Sequence, residues 1–214
     1  MKVIVYVEGP SDKRAMEHLL EPLLQKARSI GVAIDFIPTE GKRKLIIKTP
    51  IKAANILCHD ADAVVIALPD LYPKNMGVTH ETFPELQEQL QSKFKQILVR
   101  KCIDDERLRQ RFAIFCFKHD LEALILAAEE QLASRLGIPS VVRTWIRPVE
   151  NQNFNHPPKR IVERIFTEHG DRYQDTVDAP LILGASDYSV IAERCPQCFK
   201  PFVEYLESLT RINV

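Results

Sequence analysis

The sequence begins Met1-Lys-Val-Ile-Val-Tyr-Val-Glu-Gly-Pro-Ser-Asp-Lys-Arg14. Its apolar, largely β-branched run from Val3 to Val7 stops at Glu8 and Gly9, and apolar residues then recur at helical spacing to about residue 28. This pattern predicts a buried strand that is followed at once by a helix. Open α/β sheets bind their ligands at the carboxyl ends of their strands, so Glu8 is the first candidate for a functional residue.

Three further apolar runs alternate with helical patterns in the same way. Strands are predicted at 32–37, 63–68 and 111–117, with helices at 11–28, 41–59, 84–104 and 121–136. The helix at 41–59 is interrupted or restarted at Pro50. Strand and helix therefore alternate four times, which predicts an α/β fold with a mostly parallel four-stranded sheet flanked by helices.

The character of the sequence changes after residue 136. An irregular segment rich in proline and asparagine is followed by short helical patterns at 159–168 and 191–209. We therefore predict an α/β core over residues 1–136. Residues 137–214 are predicted to form an irregular and helical cap, a C-terminal extension packed on the same core.

Composition limits the partners and the compartment of the protein. The 29 Lys and Arg residues balance 29 Asp and Glu residues, so any nucleic-acid site must be a local patch. No apolar run approaches the roughly 20 residues that span a bilayer, so no membrane association is expected. The five cysteines form an odd, scattered set that favours a reducing cytoplasm. The lone Cys195-Pro-Gln-Cys198 motif is interpreted as two half-buried thiols, because a zinc site needs further ligands.

Acidic residues follow three of the four predicted strands. They are Glu8, Asp70 and the group His119-Asp120-Leu121-Glu122. Carboxylates gathered at one edge of a sheet repel each other unless a cation neutralises them, and such an oxygen-rich site suits Mg²⁺ or Mn²⁺. The predicted metal ligands are Glu8, Asp70, Asp120 and Glu122. Each acid also has an ordinary interpretation as a turn or helix-start residue, which the sequence leaves open.

Basic residues near the same predicted edge suit an anion. The helix that starts near Ser11 directs its N-terminal amides and Lys13 toward this edge, beside Gly9. Lys159 and Arg160 follow a proline pair at another helix start. From there two cations reach an anionic substrate, or else they lie in solvent.

The order of the motifs resembles a known family. The Glu8-Gly9 strand end, Val64–Asp70 and His119-Asp-Leu-Glu-Ala123 are followed by Pro158-Lys-Arg-Ile161 and Cys195-Pro196. Over nearly the whole chain they resemble a bacterial family of unknown function with a Toprim-like core. Toprim domains, as in topoisomerases, primases and overcoming-lysogenization-defect nucleases, hold Mg²⁺ with a strand-end Glu and a downstream Asp-x-Asp and act on phosphodiesters.

The resemblance implies roles for particular residues. Glu8 is implied to act as acid or base near the scissile phosphate, and Asp70 to bind magnesium. His119 and Glu122 match the family's own His-acid-x-Glu-Ala signature, so Glu122 is implied to be catalytic and His119 to support it. Lys159 and Arg160 match its basic pair, which with Gly9 and Lys13 completes the predicted phosphate-binding set.

The sequence departs from the family pattern at one metal ligand, and the resemblance also implies a partner protein. Tyr72 stands where the second acid of Asp-x-Asp is expected. The loss of that ligand is offset by Asp120 or Glu122, or else the metal site is weak or lost. Relatives often occur beside ATPases in defence systems, which implies an ATPase partner protein.

Three functions are therefore in competition. The first is a Mg²⁺-dependent phosphodiesterase or nuclease that acts on nucleic acid. The second is a non-catalytic interaction or nucleic-acid-binding subunit with a degraded metal site, which Tyr72 and the neutral net charge favour. The third is a mononucleotide-handling enzyme in which Gly41-Lys-Arg-Lys44 meets phosphates, although the spacing of a P-loop is absent. The substrate and the oligomeric state stay open.

Overall fold

The computed structural model describes residues 1–103, 105–152 and 155–211. Contacts cluster into two compact units. The first unit comprises Met1–Gly9 and Lys26–Cys116, and the second comprises Pro10–Gln25 and Phe117–Val214. The predicted domain division at residue 136 stays a prediction. Within the described ranges, no helix has both the length and the apolar character that a bilayer crossing requires.

The elements of the described chain follow in sequence order. They are β1 (Lys2–Val7), α1 (Pro10–Leu19), α2 (Glu21–Ser29), β2 (Ala33–Pro38), α3 (Lys42–His59), β3 (Ala63–Ala67), α4 (Phe83–Arg100), α5 (Glu106–Gln110), β4 (Phe112–Ile114), α6 (Glu122–Ala127), α7 (Glu129–Leu136), a 3₁₀ turn (Val149–Asn151), α8 (Pro158–Glu168), α9 (Asp175–Gly184), α10 (Tyr188–Arg194) and α11 (Phe199–Arg211).

The first unit contains the sheet. Its four strands pair in parallel in the order β2-β1-β3-β4. All five residues of β3, and all residues of β1 after Lys2, are buried. Such continuous apolar strands are typical of parallel sheets that are covered on both faces. The predicted four-stranded parallel α/β sheet flanked by helices is therefore confirmed.

Two helix predictions in the first unit differ from the structure in detail. The helix α3 continues through Pro50, whose nitrogen cannot donate a hydrogen bond to the carbonyl four residues earlier. The helix α4 begins at a cap in which the Thr82 hydroxyl accepts a hydrogen bond from the Glu85 backbone N–H at 3.4 Å. It ends at Arg100, and the predicted last residue, Asp104, lies outside the described residues.

The second unit is helical, and α1 packs closely on α9. Gly184 permits this approach, because a Cβ atom at that position would lie 3.1 Å from the Cβ of His18. The predicted single helix at 11–28 is two helices with a break at Leu20. Pro22 explains the break, because it has no N–H to donate to the carbonyl four residues earlier. The predicted helix at 191–209 is likewise divided, into α10 and α11.

Candidate functional site

The first unit brings two of the predicted acids together. Tyr6 of β1 pairs with Ala67 of β3, so the chain leaves both strands at the same edge of the sheet. Glu8 and Asp70 follow within three residues of these positions. The backbone N–H of Asp70 donates a hydrogen bond to Glu8 Oε1 at 2.9 Å. Parallel pairing therefore places the Glu8 carboxylate against the backbone of Asp70, and the shared role of the two acids stays a prediction.

A buried lysine accompanies this acid pair. Lys42 is only 4% exposed, and its Nζ donates hydrogen bonds to the carbonyls of Leu71, at 2.8 Å, and of Pro73. Burial lowers the pKa of Lys42, while the negative charges of Glu8 and Asp70 act in the opposite direction. Lys42 thus supplies a cation near the two acids and holds the chain that follows Asp70.

Sequence reasoning considered Lys42 only as part of a phosphate-binding Gly41–Lys44 segment. The available signal was its position at the start of a helix directly after β2, at the carboxyl edge of the sheet. Its carbonyl partners give no such signal, because any residue type carries a backbone oxygen. Leu71 and Pro73 already accept hydrogen bonds from the Lys42 ammonium group, whereas Arg43 and Lys44 are exposed, so the mononucleotide hypothesis stays a prediction.

The second unit contains the other predicted acid pair. Glu122 is 4% exposed, and the Oδ1 atom of Asp120 is buried with no hydrogen-bond partner among the described residues. Burial, reinforced by the charge of Glu122, raises the pKa of Asp120 to about 8. Burial also raises the pKa of Glu122, and the charge of Asp12 adds to this shift. The pair therefore requires a proton or a cation near neutral pH.

Lys159 joins this second acid pair. Its Nζ lies 3.7 Å from Glu122 Oε1 and 3.2 Å from Asp175 Oδ2, and its backbone N–H donates to Asp120 Oδ2 at 3.3 Å. Burial disfavours the charge on Lys159, but Glu122 and Asp175 outweigh it and raise the pKa of the lysine. Tyr173 completes the network by donating its hydroxyl hydrogen bond to Glu122 Oε1 at 3.1 Å.

This network borders an open cavity of about 470 Å³. The cavity is lined by Lys159, Glu163, Arg172, Tyr173, Gln174, Asp175 and Thr176. Sequence reasoning identified Lys159 but missed Tyr173 and Asp175, because neither follows a predicted strand. Both residues lie close to the start of α9 at Asp175. A single tyrosine and a helix-start aspartate do not by themselves indicate a functional site.

The remaining predicted residues occupy ordinary positions. His119 is buried, which lowers its pKa, and a hydrogen bond with the Gln152 backbone opposes that shift. Lys13 Nζ lies 3.7 Å from Glu17 Oε1 in an exposed i,i+4 pair. Arg160 is exposed and Gly9 is partly buried. The phosphate-binding roles of Gly9, Lys13, Lys159 and Arg160 stay predictions.

The acids of each unit fit a particular kind of metal ion. Across the described residues, no group of three His, Cys, Asp or Glu side chains is placed to hold an ion. Two carboxylates in a unit nevertheless suit Mg²⁺ or Mn²⁺, because Mg²⁺ takes one or two protein carboxylates and keeps water and substrate phosphates as its other ligands. The buried Asp120 Oδ1 atom, which accepts no hydrogen bond from any described residue, is a suitable ligand for such an ion. The assignment of all four predicted acids to one ion stays a prediction.

The Cys195–Cys198 motif has a structural explanation. None of the five cysteines, all within the described residues, forms a disulfide; Cys195 is buried and Cys198 is half-buried. The buried carboxylate of Glu150 accepts backbone hydrogen bonds from Gln197 and Cys198, both at 2.7 Å, and from Phe199 at 3.2 Å. Burial raises the pKa of the Cys195 thiol. Glu150 therefore caps the start of α11 and fixes the turn that contains the two thiols.

The fold and the strand-end acids define an α/β protein with a parallel sheet and an acidic edge. Residues 7–207 match the family described as a domain of unknown function, DUF4276. Because the match covers nearly the whole chain, the protein belongs to the DUF4276 family. The search of curated proteins gave no match.

Two solved structures are similar to this chain, and the first shows a shared fold. The C-terminal region of the Burkholderia pseudomallei OLD protein is similar with a TM-score of 0.53 and 13% sequence identity, over 97% of this chain and 98% of that one. The C-terminal region of the Xanthomonas campestris pv. campestris OLD protein, phased with iodine, has a TM-score of 0.48 and 14% identity, over 98% and 96% of the two chains. The first similarity therefore shows a shared fold over 97% of this chain.

Proposed function

We propose that this protein is a Mg²⁺- or Mn²⁺-dependent phosphodiesterase, a nuclease that acts on nucleic acid. The observation that carries the proposal is the 2.9 Å hydrogen bond from the Asp70 amide to Glu8 Oε1, which joins two acids at the carboxyl edge of parallel strands. The motif resemblance to overcoming-lysogenization-defect nucleases supports it. The shared fold with the C-terminal region of an OLD protein agrees with that resemblance.

In this proposal the first unit positions the reactive carboxylates. The Asp70 amide fixes one oxygen of Glu8, so the orientation of that carboxylate is set before substrate binds. Glu8 acts as acid or base near the scissile phosphate, and Asp70 binds the metal ion. A bound Mg²⁺ or Mn²⁺ polarises a phosphoryl oxygen. Lys42 holds the chain after Asp70 in place through its carbonyl contacts.

The second unit contributes further acids to the proposed chemistry. Asp120 and Glu122 are proposed as additional metal ligands, with Glu122 also catalytic and His119 as a supporting residue. Their raised pKa values mean that ionisation of the pair is favoured when a cation neutralises it. Lys159 already supplies one positive charge at 3.7 Å from Glu122. A metal cation from solvent would supply the further positive charge that Asp120 and Glu122 need when both are ionised.

Cleavage assays test this function directly. Purified protein should nick supercoiled plasmid DNA or cleave RNA with Mg²⁺ or Mn²⁺, and EDTA should abolish the activity. Glu8→Gln and Asp70→Asn should each lower the rate at least 100-fold, since each removes a group in contact with substrate or metal. Glu88→Gln is the matched control, because Glu88 is an exposed residue of the same unit. Full activity of Glu8→Gln would show that Glu8 is not catalytic.

A second candidate is a non-catalytic interaction or nucleic-acid-binding subunit. Tyr72 in place of the second acid favours it, because the first unit then offers two acids for a metal ion instead of three. Calorimetric titration with Mn²⁺ separates the two candidates. Saturable binding that Asp70→Ala abolishes supports the nuclease, whereas a titration without heat supports the subunit. The proposal also includes an ATPase partner and a role in defence, which the motif resemblance implies. It further includes a cytoplasmic location, which the cysteine content favours.

A further inference from the structure

We propose that the exposed face of α3 binds the phosphate backbone of a nucleic-acid strand. The choice of nucleic acid rests on the proposed function, but the surface itself is defined by charge and geometry. We call this surface the basic α3 face. It consists of Arg43, Lys44, Lys48 and Lys52, which are exposed or half-buried, together with the partly exposed Ile47 and Ile51.

The charge of this helix is strongly one-sided. Residues 42–52 of α3 contain five basic residues and no acidic residue, and the whole helix contains no acid. The complete chain has a formal net charge of zero, so this excess is local. Lys42 is buried against loop carbonyls, which leaves the other four cations for solvent or a partner. A local patch of this kind is the only form of basic site that the composition permits.

The spacing of the cations matches a linear anion. Lys44, Lys48 and Lys52 are four residues apart and form one row along the helix, with Arg43 beside its start. At a rise of about 1.5 Å per residue the row is about 12 Å long. One strand of B-form DNA places about three or four phosphates along that length of its axis. The row therefore suits several consecutive phosphates of one strand.

The arrangement costs helix stability when no partner is bound. Like charges at i,i+4 destabilise a helix by about 0.2–0.5 kcal/mol per pair, and cations in the first turn oppose the helix dipole. Over the part of the chain that the structure describes, the ion pair on this face is that of Lys44 with the exposed Glu40. Lys52 Nζ instead lies 4.9 Å from the centre of the Tyr6 ring. An anionic partner would offset this cost by neutralising the row.

A nucleic acid fits this face better than a protein partner does. Ile47 and Ile51 are 39% and 46% exposed, so together they provide far less than the several hundred Å² of apolar surface that marks a protein docking site. A cluster of four cations beside the single acid Glu40 is instead typical of phosphate-backbone binding. Contacts of this kind carry no base specificity, so the face should bind strands of any sequence.

Binding measured without divalent metal tests the proposal separately from catalysis. Fluorescence anisotropy is recorded in EDTA with a labelled single-stranded 20-mer and with the corresponding duplex, at 50–200 mM salt. The test variant is the triple Lys44→Gln, Lys48→Gln, Lys52→Gln. The control is the triple Lys95→Gln, Arg100→Gln, Lys101→Gln, which removes the same charge from exposed positions in and just after α4.

We expect the α3 triple variant to weaken binding at least 10-fold at 50 mM salt. The slope of log K against log[salt] should fall in magnitude by about 2–3, because each lost phosphate contact contributes about 0.7–0.9. The control should stay within about 2-fold of the parent. The α3 triple variant should also melt no lower than the parent, because it loses like-charge repulsion. Equal binding losses in both triples, or an unchanged α3 triple, would overturn the proposal.

The outcomes separate this inference from the proposed nuclease. If Glu8→Gln loses cleavage but the α3 triple binds like the parent, the nuclease stands and the α3 proposal falls. If no cleavage occurs but the salt slope depends on α3, the α3 proposal stands and the nuclease falls. If poly-glutamate displaces the oligonucleotide at equal charge concentration, the face recognises an acidic protein and the nucleic-acid proposal is refuted.

Discussion

Replacement of Asp120 by asparagine should change how stability depends on pH. The pKa of Asp120 is raised from 3.8 to about 8 in the folded protein by burial and by the charge of Glu122. Between about pH 4 and pH 8 the unfolded chain therefore releases this proton while the folded protein retains it. The free energy of unfolding then falls as pH rises, and the contribution that is fully present below pH 4 is lost by about pH 8.

The magnitude follows from the size of the shift. Each unit of pKa difference corresponds to about 1.4 kcal/mol, so a shift of about four units gives an upper bound of roughly 6 kcal/mol for the loss between pH 4 and pH 8. The variant Asp120→Asn keeps an oxygen that can accept the Lys159 backbone hydrogen bond but has no proton to lose. It should match the parent near pH 4 and exceed its stability by several kcal/mol at pH 8.

Urea unfolding in EDTA at pH values from 4 to 8 measures this difference. Mn²⁺ added at pH 7 should then restore stability to the parent by about 2.7 kcal/mol when its concentration is 100 times its Kd. The asparagine variant should gain less, because it lacks the carboxylate. A constant difference between parent and variant over the whole pH range would refute the assigned pKa of Asp120. If Mn²⁺ does not raise the free energy of unfolding of the parent, Asp120 is not a metal ligand.

Three further substitutions probe the contacts around the site. Glu150→Ala should lower the free energy of unfolding by about 2 kcal/mol or more in urea titrations, because one buried and two partly buried N–H groups lose their acceptor; a change below 0.5 kcal/mol would contradict this. Lys42→Met should lower the free energy of unfolding by about 2 kcal/mol in the same assay, because the loss of two hydrogen bonds to carbonyls outweighs the gain from no longer burying a charge. A variant more stable than the parent would show that burial of the charge costs more than the hydrogen bonds contribute. Tyr173→Phe should raise the pKa of Glu122 further, which ¹³C NMR of the carboxyl groups detects, because the lost hydrogen bond lowers that pKa at present; an unchanged or lower value would exclude the contact.

The sheet was predictable because its signals are local. The apolar runs of β1 and β3 mark strands that are buried on both sides, and their ends fall within one or two residues of the predicted ones. The helix α9 was missed for an equally local reason. Its sequence contains Pro180 and ends at Gly184, residues that normally interrupt helices, and it lacks a clear apolar stripe. The packing of α1 on α9 stabilises the helix, and no sequence window reports such a contact.

The candidate site was predictable only in part, for a different physical reason. Glu8 and Asp70 could be paired from sequence because parallel strands end at a common edge. Lys42 could not be assigned, because its partners are the carbonyls of Leu71 and Pro73, about 30 residues away and independent of side-chain type. Tyr173, 51 residues from Glu122, presents the same difficulty. Tertiary contacts to backbone atoms and to isolated aromatic residues leave no pattern in a single sequence.

The interleaved order of the two compact units constrains how this protein can be divided. Residues 26–116 of the first unit are inserted between the two segments of the second, so the backbone passes from one unit to the other three times, after residues 9, 25 and 116. A fragment that starts at Phe117 would lack α1 and would leave the α9 surface around Gly184 uncovered. The second unit therefore cannot be transferred as one contiguous segment, because residues 10–25 would have to move together with the part that begins at Phe117.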